Sequence, residues 1–172
     1  MQSVSELNCW CLPAWLLCPL RKIPVRAAAP VLCHPGSSAQ RGSGNMEILN
    51  LDMKPGNTLK VKGKISADTL GFSINLGCSS RDLAFHFNPR FNESVIVCNS
   101  KCSNAWQTEH RDRHLPFFRG CTVKFLIEML SDKFRVKLPD GHEVHFPNRH
   151  GYRKITFMSI MGGFKLISFK LS

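Results

Sequence analysis

The sequence predicts an all-β domain, built as an antiparallel sandwich or barrel. After Met46, apolar and polar residues alternate with a period of two. Gly, Pro, Asn and Asp interrupt this alternation about every 8 to 12 residues, which is typical of short antiparallel strands joined by turns. No segment shows the 3.6-residue periodicity of a helix over a useful length. The chain from Met46 onward is therefore expected to form one all-β domain.

Nine segments have the alternation expected of strands. They run from Thr58 to Ile65, Gly71 to Leu76, Leu83 to Asn88, Ser94 to Asn99, Thr122 to Leu130, Lys133 to Leu138, His142 to Phe146, Ile155 to Ile160 and Gly163 to Leu171. Successive side chains of a strand point to opposite faces, so one face of each strand should be buried. The buried faces of two neighbouring segments would carry Val123, Phe125, Ile127 and Met129, and Phe134, Val136 and Leu138.

Turn residues join these segments into hairpins. The stretch from Leu138 to His142 contains Pro139, which presets a turn, and Gly141, which accepts a positive φ. Ser131 and Asp132 are expected to close the preceding hairpin.

The charge of the chain permits several kinds of anionic partner without selecting one. The formal net charge is +11, and residues from Met46 onward contain 19 Lys and Arg against 11 Asp and Glu. A basic protein attracts nucleic acid, acidic glycans and anionic membrane surfaces. The basic residues are scattered along the strands with no run of five, which favours a solvated surface over a nucleic-acid-binding arm. Nucleic acid is therefore not an expected partner.

The eight cysteines could indicate either disulfides or a metal site. Half of them lie in the first 45 residues, and the rest are dispersed through a region that should have a core of its own, which favours thiols in a reducing compartment. Cys98 and Cys102 have a spacing that could hold a metal, but no second pair of ligands accompanies them. We therefore expect thiols and no metal.

Residues 1–45 are expected to form a poorly ordered extension before a domain that covers residues 46–172. They combine Pro, Cys, Ala, Gly and Ser and show no periodicity. Residues 9–20 have the length of a signal peptide, but Glu6 rather than a basic residue precedes them and two prolines interrupt them, so a cleaved signal is not predicted. No segment reaches the roughly 18 to 20 apolar residues of a membrane span, so membrane insertion is not expected.

One segment, from Ala84 to Arg111, contains the polar and aromatic residues that are candidates for ligand binding. His86, Asn88 and Arg90 recur at every second position, so a strand would place them on one face, with phenylalanines on the other. The next strand ends with Val97, Cys98 and Asn99, which can bring Asn99 beside that row. A loop then presents Trp106, and Glu109 and Arg111 again share a face.

Together these groups match what a sugar requires. An indole can hold the apolar C–H face of galactose, and the surrounding groups can bond hydroxyls that both donate and accept. Taken singly, each residue could instead have a structural role that is unrelated to ligand binding. His86 would more often be structural, Trp106 would more often belong to a core, and Glu109 and Arg111 would more often form a cross-strand ion pair.

At these residues the sequence resembles the galectin family of β-galactoside-binding lectins, in its single-domain prototype form. The resemblance rests on the stretch from His86 to Arg90, on Val97 to Asn99, and on Trp106 followed by Glu109 and Arg111. It implies a jelly-roll sandwich of five- and six-stranded sheets, with no metal or other cofactor. It also implies cytoplasmic synthesis and export to the extracellular space outside the secretory pathway.

The resemblance also implies a role for each site residue. His86, Asn88 and Arg90 would hold the galactose 4-hydroxyl, and Asn99 and Glu109 would hold the 6-hydroxyl. Trp106 would cover the apolar face of the ring, with Val97 in support. The adjoining sugar would contact Arg90, Glu109 and Arg111. The partners would be galactose-, lactose- and N-acetyllactosamine-type glycans on glycoproteins and glycolipids, crosslinked if the chain dimerises through its terminal strands.

Two alternatives remain open at this stage. A sandwich-fold glycosidase needs two carboxylates, whereas Glu109 has no partner in the row, because Asp82, Glu93 and Asp112 fall outside it. Gln107 follows the tryptophan where galectins usually have Gly, and the loop over residues 101–104 lacks the Asp-Gly that relatives often carry. The chain could therefore be a protein-interaction module with altered or lost sugar binding.

Overall fold

The structure is a computed structural model that describes residues 45–172, and these form two antiparallel β-sheets. Twelve strands follow one another along this part of the chain. They are β1 Met46–Met53, β2 Thr58–Ile65, β3 Phe72–Gly77, β4 Leu83–Arg90, β5 Val95–Cys102, β6 Ala105–Trp106, β7 His110–Asp112, β8 Thr122–Met129, β9 Lys133–Lys137, β10 Glu143–Pro147, β11 Ile155–Gly162 and β12 Phe164–Leu171.

The sheets differ in size and in the position of the terminal strands. The larger sheet has the order β1-β11-β3-β4-β5-β6, with β7 also paired to β5. The smaller sheet has the order β10-β9-β8-β2-β12. The first and last strands of the described region, β1 and β12, are therefore edge strands of different sheets.

The predicted all-β sandwich is confirmed, and each of the nine predicted segments coincides with a strand. The smaller sheet has the five strands expected, but the larger has seven rather than six. The difference arises because β6 and β7 both pair with β5, while residues 107–109 between them leave the ladder. The nine segments did not include β1, β6 or β7. The last two are very short, and in β1 four of the eight residues are exposed and only two are buried.

Phenylalanine rings fill the space between the two sheets. Phe85 on β4 stacks on Phe134 of β9 with ring centroids 5.1 Å apart, and Phe87 meets Phe125 of β8 edge-on at 5.3 Å. All four side chains are completely buried. Aromatic pairs in these arrangements add about 0.5 to 1.5 kcal/mol beyond their area burial. This packing holds β4, the strand that carries the row of polar residues, firmly against the opposite sheet.

The predicted faces and hairpins of β8, β9 and β10 are also confirmed. The inward residues of β8 and β9 are buried, whereas Lys124 and Lys137 are exposed. In the β9–β10 turn, the Gly141 backbone has a φ of 93° and its N–H donates to the Leu138 carbonyl at 3.0 Å. In the β8–β9 turn, the Leu130 N–H donates to the Lys133 carbonyl at 2.8 Å.

Other predictions concern the N-terminal extension, the cysteines, metal binding and membrane insertion, and the structure describes only residues 45–172. The extension predicted over residues 1–45 lies, except for Asn45, outside the described residues. Within residues 45–172, Cys98 is a buried free thiol and Cys121 an exposed one. The same region contains no cluster of three His, Cys, Asp or Glu side chains arranged to hold a metal ion. It also contains no helix long and apolar enough to cross a membrane.

We predict that Phe125→Ala destabilises the domain by about 3 to 5 kcal/mol, because it leaves a cavity between the sheets. Phe118→Ala is the matched control, since Phe118 is 71% exposed and its truncation should change the free energy of unfolding by less than about 0.5 kcal/mol. Urea unfolding followed by circular dichroism measures both. Equal effects of the two substitutions would contradict the described core.

Candidate functional site

Strand β4 presents a row of three polar side chains on the outer face of the larger sheet. His86, Asn88 and Arg90 are half-buried, and Phe85 and Phe87 between them point into the core with no exposed surface. The alternation of the sequence therefore produces the two-sided strand that it predicts. The core side of β4 fixes the backbone, and the backbone fixes the spacing of the row.

A buried hydrogen-bond chain sets the protonation of His86. Asn75 on β3 donates from Nδ2 to the Ser73 and Ser159 hydroxyls at 3.2 and 3.0 Å. Its Oδ1 atom lies 2.6 Å from His86 Nδ1 and must accept, so Nδ1 carries the proton and Nε2 is left as an acceptor. Burial, and then the charge of Arg90, lower the pKa of His86 to about 4.

Asn88 and Arg90 are held in place by the same strand and its neighbour. The Asn88 Nδ2 group donates to the Phe72 carbonyl at 2.6 Å, and its Oδ1 atom accepts from Arg90 Nε at 2.8 Å. The Arg90 guanidinium also donates to Glu109 at 3.0 Å and to Glu93 at 3.2 Å. Three of its five N–H groups are thus bonded within the protein, which leaves two for a ligand.

Two carboxylates and two guanidinium groups close one end of the row. Arg111 bonds Glu109 at 2.7 Å and Glu93 at 2.7 Å, so each Arg contacts both Glu residues. Hydrogen bonds from Arg111, and then from Arg90, hold the pKa of both carboxyl groups below their usual range. Glu93 lies outside the alternating row, as the sequence predicts, but its carboxylate belongs to this cluster. The β4–β5 turn places the Glu93 side chain beside Arg90, which precedes it by three residues.

Trp106 forms an exposed aromatic platform at the other side of the row. The side chain is 51% exposed, and its ring centroid lies 4.7 Å from that of His86 at a tilt of 58°. Pairing of Trp106 with Lys101 across β5 and β6 fixes the backbone, and the Lys101 ammonium lies 5.1 Å from the ring. An exposed indole beside a neutral imidazole offers an apolar plane and a hydrogen-bond acceptor to the same ligand.

Asn99 has a different position from the other predicted site residues. It pairs with His86 across β4 and β5, as expected, but the side chain is only 4% exposed. Its Nδ2 group donates to the Gln107 carbonyl at 2.8 Å, and its Oδ1 atom accepts from the Ser100 N–H at 2.8 Å and from Arg149 at 3.3 Å. These contacts make Asn99 an anchor for the loop that follows Trp106.

The substitution of Gln107 for the usual glycine imposes no backbone strain. Gln107 is not among the residues with positive φ in the described part of the chain; those in this loop are Ser103 and Asn104, at its tip. The side-chain oxygen of Gln107 accepts a hydrogen bond from the Ser100 hydroxyl at 3.0 Å, and the backbone N–H of Gln107 donates to the Ser100 carbonyl at 3.1 Å. Asp82 fixes the loop tip by accepting from the Ser103 N–H at 2.8 Å.

A reciprocal cluster of two histidines and two aspartates positions β7, which carries Arg111. His114 contacts Asp140 at 2.5 Å and His142 contacts Asp112 at 2.9 Å, so the β7–β8 loop and the β9–β10 turn are linked twice. Burial raises the pKa of Asp112, but hydrogen bonds from His142 and from the His114 N–H outweigh it and lower the pKa overall. Sequence reasoning missed this cluster because its members are far apart in the chain.

The structure thus brings the predicted residues onto one outer surface. We call this surface the polar groove, and it consists of His86, Asn88, Arg90, Trp106, Glu109 and Arg111, with Glu93 added. Val97 lies on the same face between Asn88 and Arg111, with which it pairs on either side, and it is fully buried. An open sheet surface of this kind, with an aromatic plane beside converging donors and acceptors, defines a lectin-type site.

Comparison with known proteins shows the family. Residues 45–171 match the family model described as galactoside-binding lectin, and the chain belongs to that family. It is 54% identical to human galectin-2 over 129 residues, which covers 75% of this chain and 98% of that protein. Its structure is similar to that of chicken galectin 2, with a TM-score of 0.73 and 65% identity over 73% of this chain and 97% of the other.

A second solved structure is also similar. It is CG-16, described as a homodimeric agglutinin from chicken liver, with a TM-score of 0.71 and 40% identity. The match covers 74% of this chain and 99% of CG-16.

We predict that His86 stays neutral, with the proton on Nδ1, until the pH approaches about 4. Its pKa lies below the ordinary value of about 6.5, so the unfolded chain binds the proton more tightly and stability falls as the pH falls from about 6.5 to about 4. Nitrogen NMR shifts of the ring report both tautomer and pKa. In Asn75→Ala the preference for Nδ1–H should be lost, and an Nε2–H ring in the unsubstituted protein would contradict the bonding chain.

Proposed function

We propose that this protein is a non-enzymatic lectin that binds β-galactosides of the galactose, lactose and N-acetyllactosamine type on glycoproteins and glycolipids. One observation carries the proposal. The row of His86, Asn88 and Arg90 lies directly beside the exposed indole of Trp106, on an open sheet surface. A galactose ring has an apolar C–H face and an axial 4-hydroxyl, and this groove offers a complement to each.

The hydrogen bonds already made inside the groove determine what remains for the sugar. His86 Nε2 is an acceptor, whereas Arg90 and Asn88 retain N–H donors after their internal bonds. A hydroxyl that donates to the imidazole and accepts from the guanidinium and amide satisfies all three groups. Glucose, with an equatorial 4-hydroxyl, would leave them unpaired at a cost of about 1 to 3 kcal/mol each.

The far end of the groove fits the adjoining sugar. Arg90, Glu109 and Arg111 form a charged border there, and both the carboxylate and the guanidinium groups are about one-third to one-half exposed. Charge-assisted hydrogen bonds to hydroxyls are stronger than neutral ones. The groove is shallow, so a single site should bind only with micromolar to millimolar affinity, or about 4 to 8 kcal/mol.

The state of the two carboxylates supports binding without catalysis. A glycosidase needs one carboxylic acid with a raised pKa to protonate the leaving oxygen, and a second carboxylate across the bond. Here Glu93 and Glu109 both have lowered pKa values, because each is bonded to Arg111 and Arg90. Neither group holds a proton at neutral pH, so the groove is suited to recognition and not to acid catalysis.

The competing function is a protein-interaction module that has lost sugar binding. It rests on the unusual loop over residues 101–108. The ordered contacts of Gln107 with Asn99 and Ser100 argue for a loop that still supports Trp106. Binding to lactose separates the two functions.

We predict that the full-length protein is retained on immobilised lactose and eluted by free lactose, and that Trp106→Ala abolishes retention because the apolar platform is lost. Phe118→Ala is the control, since it removes another exposed aromatic ring outside the groove. The eluted lactose should be intact, with no free galactose. Absence of retention would favour the protein-interaction module, and release of galactose that stops in Glu109→Gln would establish an enzyme instead.

We also propose that two copies pair through the terminal strands, so that one dimer crosslinks two glycans. The support is that β1 and β12 are edge strands, and that Leu49 on β1 and Ile167 and Phe169 on β12 are exposed apolar side chains. Paired sites would offset weak single-site binding through a high effective concentration. Residues 1–45 precede β1 directly, so we infer that they obstruct or reshape this interface.

Sedimentation equilibrium tests the role of the first 45 residues. The full chain should dimerise less tightly than a chain that starts at Met46, because the added residues are attached at the edge that would pair. Equal dimer dissociation constants for the two chains would refute obstruction by the extension.

We propose cytoplasmic synthesis followed by export outside the secretory pathway, without cleavage of a signal peptide. The free thiols of Cys98 and Cys121 are consistent with a reducing compartment. Mass spectrometry of the exported protein should find the first residues intact, and an N-terminus created by cleavage after residues 9–20 would contradict this route.

A further inference from the structure

The outer face of the smaller sheet is densely covered by lysine. On β2, Lys60, Lys62 and Lys64 are all exposed, because the residues between them point into the core. The neighbouring strands add exposed lysines to the same face. We call this surface the lysine face, and it consists of Lys60, Lys62, Lys64, Lys124, Lys137, Lys165 and Lys170.

The strand register places these lysines directly opposite one another. Lys64 pairs with Lys165 and Lys60 with Lys170 across β2 and β12, and Lys62 pairs with Lys124 across β2 and β8. Directly opposed side chains lie only about 5 Å apart at Cβ, and like charges at such positions destabilise a sheet. Three repulsive pairs on adjacent strands are therefore a cost that folding alone does not explain.

Most of this charge is not compensated by acidic residues. None of the seven lysines forms a salt bridge in the described part of the chain. Two acidic residues share this face. Glu128 at the end of β8 and Glu143 on β10 both contact Arg135, and Glu143 also lies opposite Lys137, so the other six lysines have no acidic cross-strand partner. The strands β12, β2 and β8 thus present a positive surface that is open to an external anion.

The lysine face does not correspond to a motif in the sequence. Its residues are separated by buried apolar positions and belong to four different strands, so no run of basic residues forms. A scattered pattern ordinarily indicates a solvated surface. Alternation and register turn it into a compact charged surface instead.

We propose that the lysine face binds a linear sulfated polysaccharide. The three lysines of β2 extend over about 13 Å, and the rows on β12, β2 and β8 together span about 10 Å, which suits one extended polymer lying along β2. The lysine ammonium is a compact, mobile point charge that can follow irregularly placed sulfate groups, whereas planar bidentate recognition would call for arginine. The proposal is independent of the galactoside-binding function.

Two other polyanions fit this surface less well. Single-stranded nucleic acid is normally bound by aromatic side chains on which the bases stack. None of the residues that face outward with the lysines on β12, β2 and β8 is aromatic, because the exposed Phe169 of β12 pairs with the inward Val61 and lies on the other face. Binding to an anionic membrane surface usually combines basic residues with apolar side chains that enter the interface. In the centre of the lysine face the outward apolar residue is Leu126, which is half-buried between Lys60 and Lys137.

The two binding surfaces lie on opposite sides of the sandwich. The polar groove is on the outer face of the larger sheet, and the lysine face is on the outer face of the smaller one, with the phenylalanine core between them. One molecule can therefore hold a galactoside and a sulfated chain at the same time. Sulfated polysaccharide would concentrate the lectin near the glycans that it recognises, without competing for the groove.

The test compares two full-length variants with the same net charge. The first carries Lys62→Gln, Lys64→Gln and Lys124→Gln, which neutralise the centre of the lysine face. The second carries Lys54→Gln, Arg153→Gln and Lys154→Gln, which remove three exposed positive charges elsewhere. Binding to a size-defined heparin oligosaccharide is measured by calorimetry at several NaCl concentrations. Chemically desulfated heparin, phosphatidylserine vesicles and a single-stranded oligonucleotide are measured in parallel.

We expect the first variant to bind heparin at least about tenfold more weakly than the second. The plot of log Kd against log salt concentration should be shallower by about two, because each lost contact with a linear polyanion removes roughly 0.7 to 0.9 from the slope. Free lactose should not displace heparin, and retention of the first variant on lactose should match that of the unsubstituted protein if the latter is retained.

Three results would overturn the proposal. One is equal heparin binding by the two variants, and another is undiminished binding of the desulfated polymer. The third is tighter binding of vesicles or oligonucleotide than of heparin, which would assign the face to a membrane surface or to nucleic acid. Failure of lactose binding alone would refute the galactoside function and leave the result for the lysine face unaffected.

Discussion

The alternation of inward and outward side chains along strand β4 determines both the packing of the core and the geometry of the polar groove. Phe85 and Phe87 bury completely against the opposite sheet, and this forces His86, Asn88 and Arg90 outward at fixed spacing. Core stability and site geometry are therefore two consequences of one alternating segment. A shift of a single residue in register would exchange the two faces and remove both. The row of His86, Asn88 and Arg90 is rigid because β4 is hydrogen-bonded to β3 on one side and to β5 on the other.

Preorganisation extends from this strand through hydrogen bonds that are complete before any ligand arrives. Asn75 orients the His86 ring from the neighbouring strand β3, and Arg90 is bonded to Asn88 and to both Glu residues. A ligand then meets groups with defined donor and acceptor roles, so less side-chain freedom is lost on binding. Burial and the charge of Arg90 lower the pKa of His86, which keeps the imidazole neutral at neutral pH. Hydrogen bonds from Arg111 and Arg90 lower the pKa values of Glu93 and Glu109, which keeps both carboxylates charged.

Sequence reasoning succeeded where local pattern determines structure and failed where distant segments meet. Strand β2 was predicted with its observed bounds because its inward and outward residues alternate strictly, and the β4 row was visible for the same reason. Asn75 was missed as a site residue because its partner His86 lies on another strand. Glu93 was missed because the β4–β5 turn returns it to Arg90 and the pairing of β7 with β5 brings Arg111 to it. The proposed lysine face was also missed, since it exists only when register places residues of four strands side by side. In each case the missing information was the pairing between strands.

We propose that the polar groove on β4 to β7 binds galactose through His86, Asn88 and Arg90, with the sugar ring on Trp106. A crystal structure of the full-length protein with lactose tests this most directly. We expect the C–H face of galactose to lie against the Trp106 indole, and the axial 4-hydroxyl to lie within hydrogen-bonding distance of His86 Nε2 and the Arg90 guanidinium. Lactose bound elsewhere on the molecule, or with its glucose ring on Trp106, would contradict it.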